Sequence, residues 1–175
     1  MSSAHPHSNR LVRLLKHRWH DDTDTARALD GAALQRLQAQ VSASEQHHSG
    51  EIRLCVEAGL PLSYVWRHAT PRQRAVTVFG KLRVWDTEDN NGVLIYLLLA
   101  ERAIEVVADR GLARRVPQPQ WDTLLSDMRQ AFANRQFESG LAQAITVVDK
   151  LLRQHFALAP GQTNPNELPD GVELR

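Results

Sequence analysis

Residues 91–111 read NGVLIYLLLAERAIEVVADRG, and the pairing at the centre of the molecule can be read from them. Val93 to Leu99 is a continuous apolar run, too short for a buried helix bounded by turns and well suited to a central strand covered on both faces. A short connection at Glu101-Arg102 leads to Ile104–Asp109, where Ile104, Val106 and Ala108 alternate with Glu105, Val107 and Asp109. Two strands this close predict an antiparallel hairpin, with Val93 opposite Asp109 and Asn91-Gly92 beside Arg110 and Gly111.

Upstream, Glu51–Ala58 alternates strictly, with Ile52, Leu54, Val56 and Ala58 on one side and Arg53, Cys55 and Glu57 on the other. Period two predicts a half-buried strand. It follows a helical pattern over Ala28–His48, with Leu29, Ala33, Leu37 and Val41 on one face, Asp30 as cap and Ser49-Gly50 as stop. Pro71, capped by Thr70, opens a second helix through Ala75, Val76, Phe79 and Leu82. Between that helix and the central strand lies an acidic turn-rich loop, Asp86 to Gly92. After Pro117 and Pro119 come two further helices, one using Trp121, Leu124, Leu125, Met128 and Phe132, the other Leu141, Ile145, Val148, Leu151, Leu152 and Phe156.

The order helix, strand, helix, strand, strand, helix, helix predicts a parallel, right-handed β-α-β unit extended by an antiparallel hairpin. Helices on both faces make it a three-layer α/β/α sandwich with a small mixed sheet. The expected organisation is an N-terminal arm with a short amphipathic helix over 1–28, one domain over 29–157 and a flexible C-terminal tail over 158–175, disordered or draped on the surface.

Composition narrows the classes. The chain has 175 residues with a formal net charge of +1, 42% apolar residues and 6% aromatics. That size buries about 70% of the unfolded surface without disulfides or a structural metal. The single Cys55 has no intramolecular partner, and on a strand without a base it reads as a structural thiol. Near-balanced charge gives no overall reason to bind nucleic acid or an anionic membrane. The polar start carries no signal-peptide pattern, and the run Val93–Ala100 is too short to span a bilayer. The expected location is cytoplasmic, with no membrane insertion and no nucleic-acid partner.

The hairpin and the parallel pair bring one sheet edge together. Asp86, Asp89, Asn90, Asn91 and Asp109 gather there, with His48 at the start of the first strand. Carboxylate and amide oxygens on a glycine-bearing loop are the hard ligands that Ca²⁺ or Mg²⁺ prefers. The same residues also read as a plain Asn-Gly turn with solvated acids. Arg110 and Arg115 flank the edge as candidate phosphate or carboxylate ligands, in a chain where Arg outnumbers Lys eighteen to three. His47-His48 closes a helix, where a cation meets the dipole favourably. His17 and His20 read as surface residues. Leu11, Leu14, Leu15 and Trp19 have helical spacing and would form an apolar stripe. The chain has no Walker loop, GxSxG, HExxH or GxGxxG pattern.

The stretch Asn91 to Tyr96 followed by Glu105 to Leu112 resembles the TPM domain family. Ser49-Gly50-Glu51-Ile52 is similar to that family's first strand entry, Ala33–Glu45 to its first helix, and Phe79 and Trp85 to the aromatic positions of its second helix. The resemblance covers about Leu29 to Phe156. It implies an α/β/α sandwich, a divalent-ion site in some members, weak acid phosphatase activity in certain plant relatives, and accessory roles in the assembly or repair of larger complexes. Asn90 stands where the family usually has Asp, and Ala108-Asp109-Arg110-Gly111 replaces its usual Gly-x-Gly. Together these features lead to the expectation of a non-catalytic accessory or binding protein with a weak Ca²⁺ or Mg²⁺ site, partnering another protein such as a membrane-anchored family member. A metal-dependent, phosphatase-like hydrolase and a purely structural scaffold are the alternatives.

Overall fold

The structure, a computed structural model, describes residues 10–19 and 22–175. Its centre is a mixed sheet. Strand β1 (Ile52–Glu57) runs parallel to β2 (Val93–Leu98), in register from Ile52 opposite Val93 to Glu57 opposite Leu98. Strand β3 (Ala103–Ala108) returns antiparallel through a 3-10 turn at Leu99–Glu101. A short β4 (Glu173–Leu174) pairs parallel with the other side of β1, giving the order β3-β2-β1-β4. The hairpin is shifted by one residue from the expected alignment, because Val93 faces Ala108 and Asp109 instead donates its N–H to the Gly92 carbonyl at 2.9 Å.

Eight helices cover the sheet among the described residues: α1 (Arg10–Arg18), α2 (Asp22–Ala28), α3 (Gly31–Glu45), α4 (Leu62–Trp66), α5 (Pro71–Lys81), α6 (Arg110–Ala113), α7 (Gln118–Ala133) and α8 (Phe137–Phe156). The caps form as the residue types demand. Asp30 accepts from the Ala33 N–H at 2.7 Å at the start of α3, and Thr70 with Gln73 forms a reciprocal capping box on α5.

Alternating strand residues feed two cores. Ile52, Leu54, Val56, Val93, Ile95 and Leu97 meet α3, α7 and α8 on one face. Cys55, Leu94, Tyr96 and Leu98 meet α4 and α5 on the other, with Leu14 of α1 against the same cluster. The α8 residues Leu141, Ile145, Val148, Leu151, Leu152 and Phe156 are buried as their spacing predicts, as are Trp121, Met128 and Phe132 of α7. The side chains of Leu124 and Leu125, and all of His20, lie outside the described residues.

Strand β1 is buried along its whole length rather than half-buried. Its polar-looking side is covered by α4 and α5, and Glu57 is neutralised there. Arg74 pairs with the Glu57 carboxylate at 2.5 Å, and the Tyr96 hydroxyl donates to the same group at 2.5 Å. Val76 points to solvent, because the inward positions of α5 are Arg74, Ala75 and Val78. His17 is buried instead of exposed, with Nε2 2.8 Å from Glu101 Oε1 and Nδ1 accepting from the Leu60 N–H. Segment 158–175, expected as a flexible tail either disordered or draped on the surface, is draped as a hydrogen-bonded strap across β1. Arg53 donates to the Pro169 and Gly171 carbonyls, the Glu51 carboxylate accepts from the Glu167 and Leu168 N–H groups, and Leu168 is buried. The strap contributes β4.

Candidate functional site

The edge of the sheet at the entry of β1 and β2 is built by backbone bonds that need two glycines. Gly111 donates its N–H to the Asn90 carbonyl at 2.8 Å, and a Cβ there would sit 2.5 Å from the carbonyl oxygens of both Asp89 and Asn90. A Cβ on Gly92 would collide with the Val84 carbonyl. Asn90 itself takes a left-handed conformation, φ 52°, which asparagine tolerates better than most residues.

On that frame Ser49 joins two loop residues. Its hydroxyl donates to Asp89 Oδ2 at 3.1 Å and accepts from Asn91 Nδ2 at 3.1 Å. The Asn91 N–H bonds Thr87 Oγ1 at 3.1 Å. Asn90 Oδ1 accepts from Arg110 Nε at 2.7 Å, and Asp109 Oδ1 accepts from the Arg110 N–H at 2.7 Å as the cap of α6. Two oxygens are left over: Asn91 Oδ1 and Asp109 Oδ2 are buried without a hydrogen-bond partner. A buried acceptor left unsatisfied costs about 1–3 kcal/mol, so each oxygen has room in its hydrogen-bonding capacity for a donor, a water or a cation.

Beside the edge lies an open groove of about 620 Å³, lined by Ser49, Glu88, Asp89, Arg115, His155 and Glu167 among others. Arg115 is held with its guanidinium 4.3 Å from the Phe156 ring centroid while donating to the His155 carbonyl. The strap forms the far wall, where the Glu167 carboxylate accepts from the Glu88 N–H at 3.2 Å.

Asp89, Asn90, Asn91, Asp109 and Arg110 are therefore brought to one edge, with Arg115 across the groove. Asp86 is exposed, and its backbone N–H closes a turn on the Arg83 carbonyl. His48 is buried away from solvent. Its Nε2 lies 2.9 Å from Ser44 Oγ and 3.5 Å from Asp149, and its Nδ1 lies 2.9 Å from the Gly50 carbonyl. Burial pushes its pKa down to about 4, so it is neutral and is no cation at the helix end. His47 is exposed and has Nδ1 3.0 Å from the Ala43 carbonyl.

Sequence reading passed over Ser49 and Thr87 at the edge, because isolated hydroxyls carry no spacing signal. Among the described residues no three His, Cys, Asp or Glu side chains are grouped to hold a metal ion. Any cation here would rest on amide and carbonyl oxygens and water, with Asp89 and Asp109 supplying charge.

The architecture defines a small α/β/α domain with a polar groove at one sheet edge. Residues 23–151 match the family model of the TPM domain, and the chain belongs to that family. The fold is also similar to the NMR structure of BA42 protein from the psychrophilic bacterium Bizionia argentinensis sp. nov., with a TM-score of 0.73 and 24% identity over 84% of this chain and 95% of that one. No curated protein matches the sequence. Among the described residues no helix is long and apolar enough to cross a membrane.

Proposed function

We propose that this TPM-domain protein is a binding or accessory module that takes up a divalent cation, Ca²⁺ or Mg²⁺, weakly at the loop–strand edge and partners another protein such as a membrane-anchored member of its family. The observation that carries the ion reading is the pair of unpartnered buried oxygens, Asn91 Oδ1 and Asp109 Oδ2, on neighbouring segments of one edge. Hard oxygens without donors suit a hard cation. Asn90 in place of the family's usual Asp lowers the local negative charge, which sets the affinity low.

The test is a backbone amide NMR titration with Ca²⁺ and then Mg²⁺ in a phosphate-free buffer. Saturable shifts confined to residues 86–92 and 108–111, absent in Asp109→Asn, are expected. A flat response at millimolar ion rejects the ion site. Arg115 in the groove beside Asp89 favours a phosphate-ester hydrolase as the second reading. That reading requires divalent-dependent turnover of a phosphate ester, lost in Asp109→Asn while the fold is retained.

A further inference from the structure

Eight large apolar side chains are strongly exposed among the described residues, and seven of them belong to the layer made by α1, α4 and α5 and its following turn. Trp19 is 79% and Trp66 63% exposed, joined by Trp85, Val12, Leu15 and Leu62. Three of the chain's four tryptophans thus face solvent on one layer, while Trp121 is buried on the other. Tryptophan is ordinarily well covered, and scattered exposure would need no explanation; this concentration does.

The helices present these residues by phase. Val12, Leu15 and Trp19 recur at i, i+3 and i+7 along and just past α1, while Leu14 and His17 turn inward. On α4, Val65 is buried and Leu62 and Trp66 face out. The two helices are tied side by side, with Arg13 donating to the Ala69 carbonyl at 2.6 Å and the Leu60 N–H to His17.

Charge follows the same division. Residues 10–19 and 58–85 contain nine Arg and Lys and no Asp or Glu, whereas the rest of the chain carries twelve Arg and Lys against twenty Asp and Glu. Arg74 is neutralised by buried Glu57 and Arg13 by Glu101, and Arg72 lies 3.8 Å from the Glu105 carboxylate. Arg67, Lys81 and Arg83 are exposed. The net charge of +1 therefore conceals an uneven division of charge along the chain.

We propose that the α1–α4–α5 face docks peripherally on an anionic lipid bilayer. Exposed tryptophan and aliphatic side chains interleaved with Arg and Lys are the composition that an interfacial surface requires, because the apolar groups enter the headgroup boundary while the cations meet lipid phosphates. A nucleic acid would satisfy the cations but not Val12, Leu15 and Leu62. An anionic bilayer satisfies both.

The experiment is co-sedimentation of the full chain with vesicles of phosphatidylcholine alone or mixed equally with phosphatidylglycerol, at low salt and at about 0.5 M salt. Binding to the anionic vesicles only, reversed by salt, is expected. Wild-type tryptophan fluorescence should be quenched by brominated lipid, a readout that needs no variant. The pairs Trp19→Ser with Trp66→Ser, and Arg67→Glu with Lys81→Glu, should each weaken partitioning at least tenfold. Lys150→Glu, exposed on α8 in the opposite layer, should leave it unchanged. The proposal is overturned by no binding to anionic vesicles at low salt, by binding that neither pair weakens, or by tighter association with single-stranded RNA or polyglutamate than with vesicles.

Discussion

Gly111 hands its N–H to the carbonyl of Asn90, twenty-one residues upstream, and by doing so fixes the acidic loop against the start of α6. The close approach leaves no room for a side chain, since an added Cβ would sit 2.5 Å from two backbone oxygens. Backbone cannot rotate away as a flexible side chain does. Gly111→Ala is therefore expected to cost about 1–3 kcal/mol, read by urea denaturation, with amide shifts concentrated at Asp89–Asn91. A substitution that leaves both stability and those shifts unchanged contradicts the packing described.

Arg74 and Glu57 form an ion pair inside the protein. Both side chains are buried, and Tyr96 adds a hydrogen bond to the same carboxylate. Deleting one partner strands a charge in the core. Arg74→Ala should lose about 3–5 kcal/mol, far more than an exposed pair such as Arg36–Glu138 would. Comparable losses for Arg74→Ala and Arg36→Ala would argue against the buried pairing.

Stability should depend on pH with two opposed limbs. Burial pushes the Glu45 carboxyl up to about 8 from 4.5, so its contribution is full below pH 4.5 and is lost as pH rises through 8. His48 is lowered to about 4 from 6.5, so its contribution is full above pH 6.5 and is lost as pH falls through 4. The slopes cancel between pH 4.5 and 6.5 and leave a decline from 6.5 to 8. Glu45→Gln keeps the oxygen that accepts from the Ile52 N–H and removes the titration. The alkaline decline, about 2 kcal/mol over those 1.5 pH units, should flatten in that variant when unfolding is followed over a pH series.

Removal of residues 168–175 should destabilise the domain by at least about 2 kcal/mol. It exposes the site of buried Leu168, takes the carbonyl partners from Arg53 and leaves the β1 edge unpaired. Chemical denaturation of the truncated chain checks this, and an unchanged midpoint would mean the strap contributes nothing to stability.

Cys55 is fully buried and its thiol is pushed up to about 12. It should resist an aromatic disulfide reagent in the native protein at mildly alkaline pH and react once in denaturant.

Local pattern was enough for much of the fold. The uninterrupted run Val93–Leu98 identified the central strand, the short gap to Ile104 gave the hairpin, and Asp30, Thr70 and Pro71 marked helix starts, because caps and periodicity act over a few residues. Most of the loop–strand edge followed, since Asn90, Asn91 and Asp109 are tied together by that hairpin. Other features depended on partners distant in the chain. The alternation of β1 looked half-exposed until α4, α5 and Arg74 covered its second face. The strap from 158 to 175 looked like a flexible tail because its bonds go to Glu51 and Arg53, more than a hundred residues away. His48 looked like a helix-terminal cation and is neutral because tertiary packing desolvates it.

Net charge is the clearest case. Summed along the chain it is +1 and suggests no charged partner. Folding sets 10–19 beside 58–85 and puts Arg67, Lys81 and Arg83 in one layer with the exposed tryptophans Trp19, Trp66 and Trp85. Sequence fixes which residues are charged and how each element begins, through covalent neighbours. Which charges share a surface is decided by packing, because only packing chooses the neighbours that sequence separates.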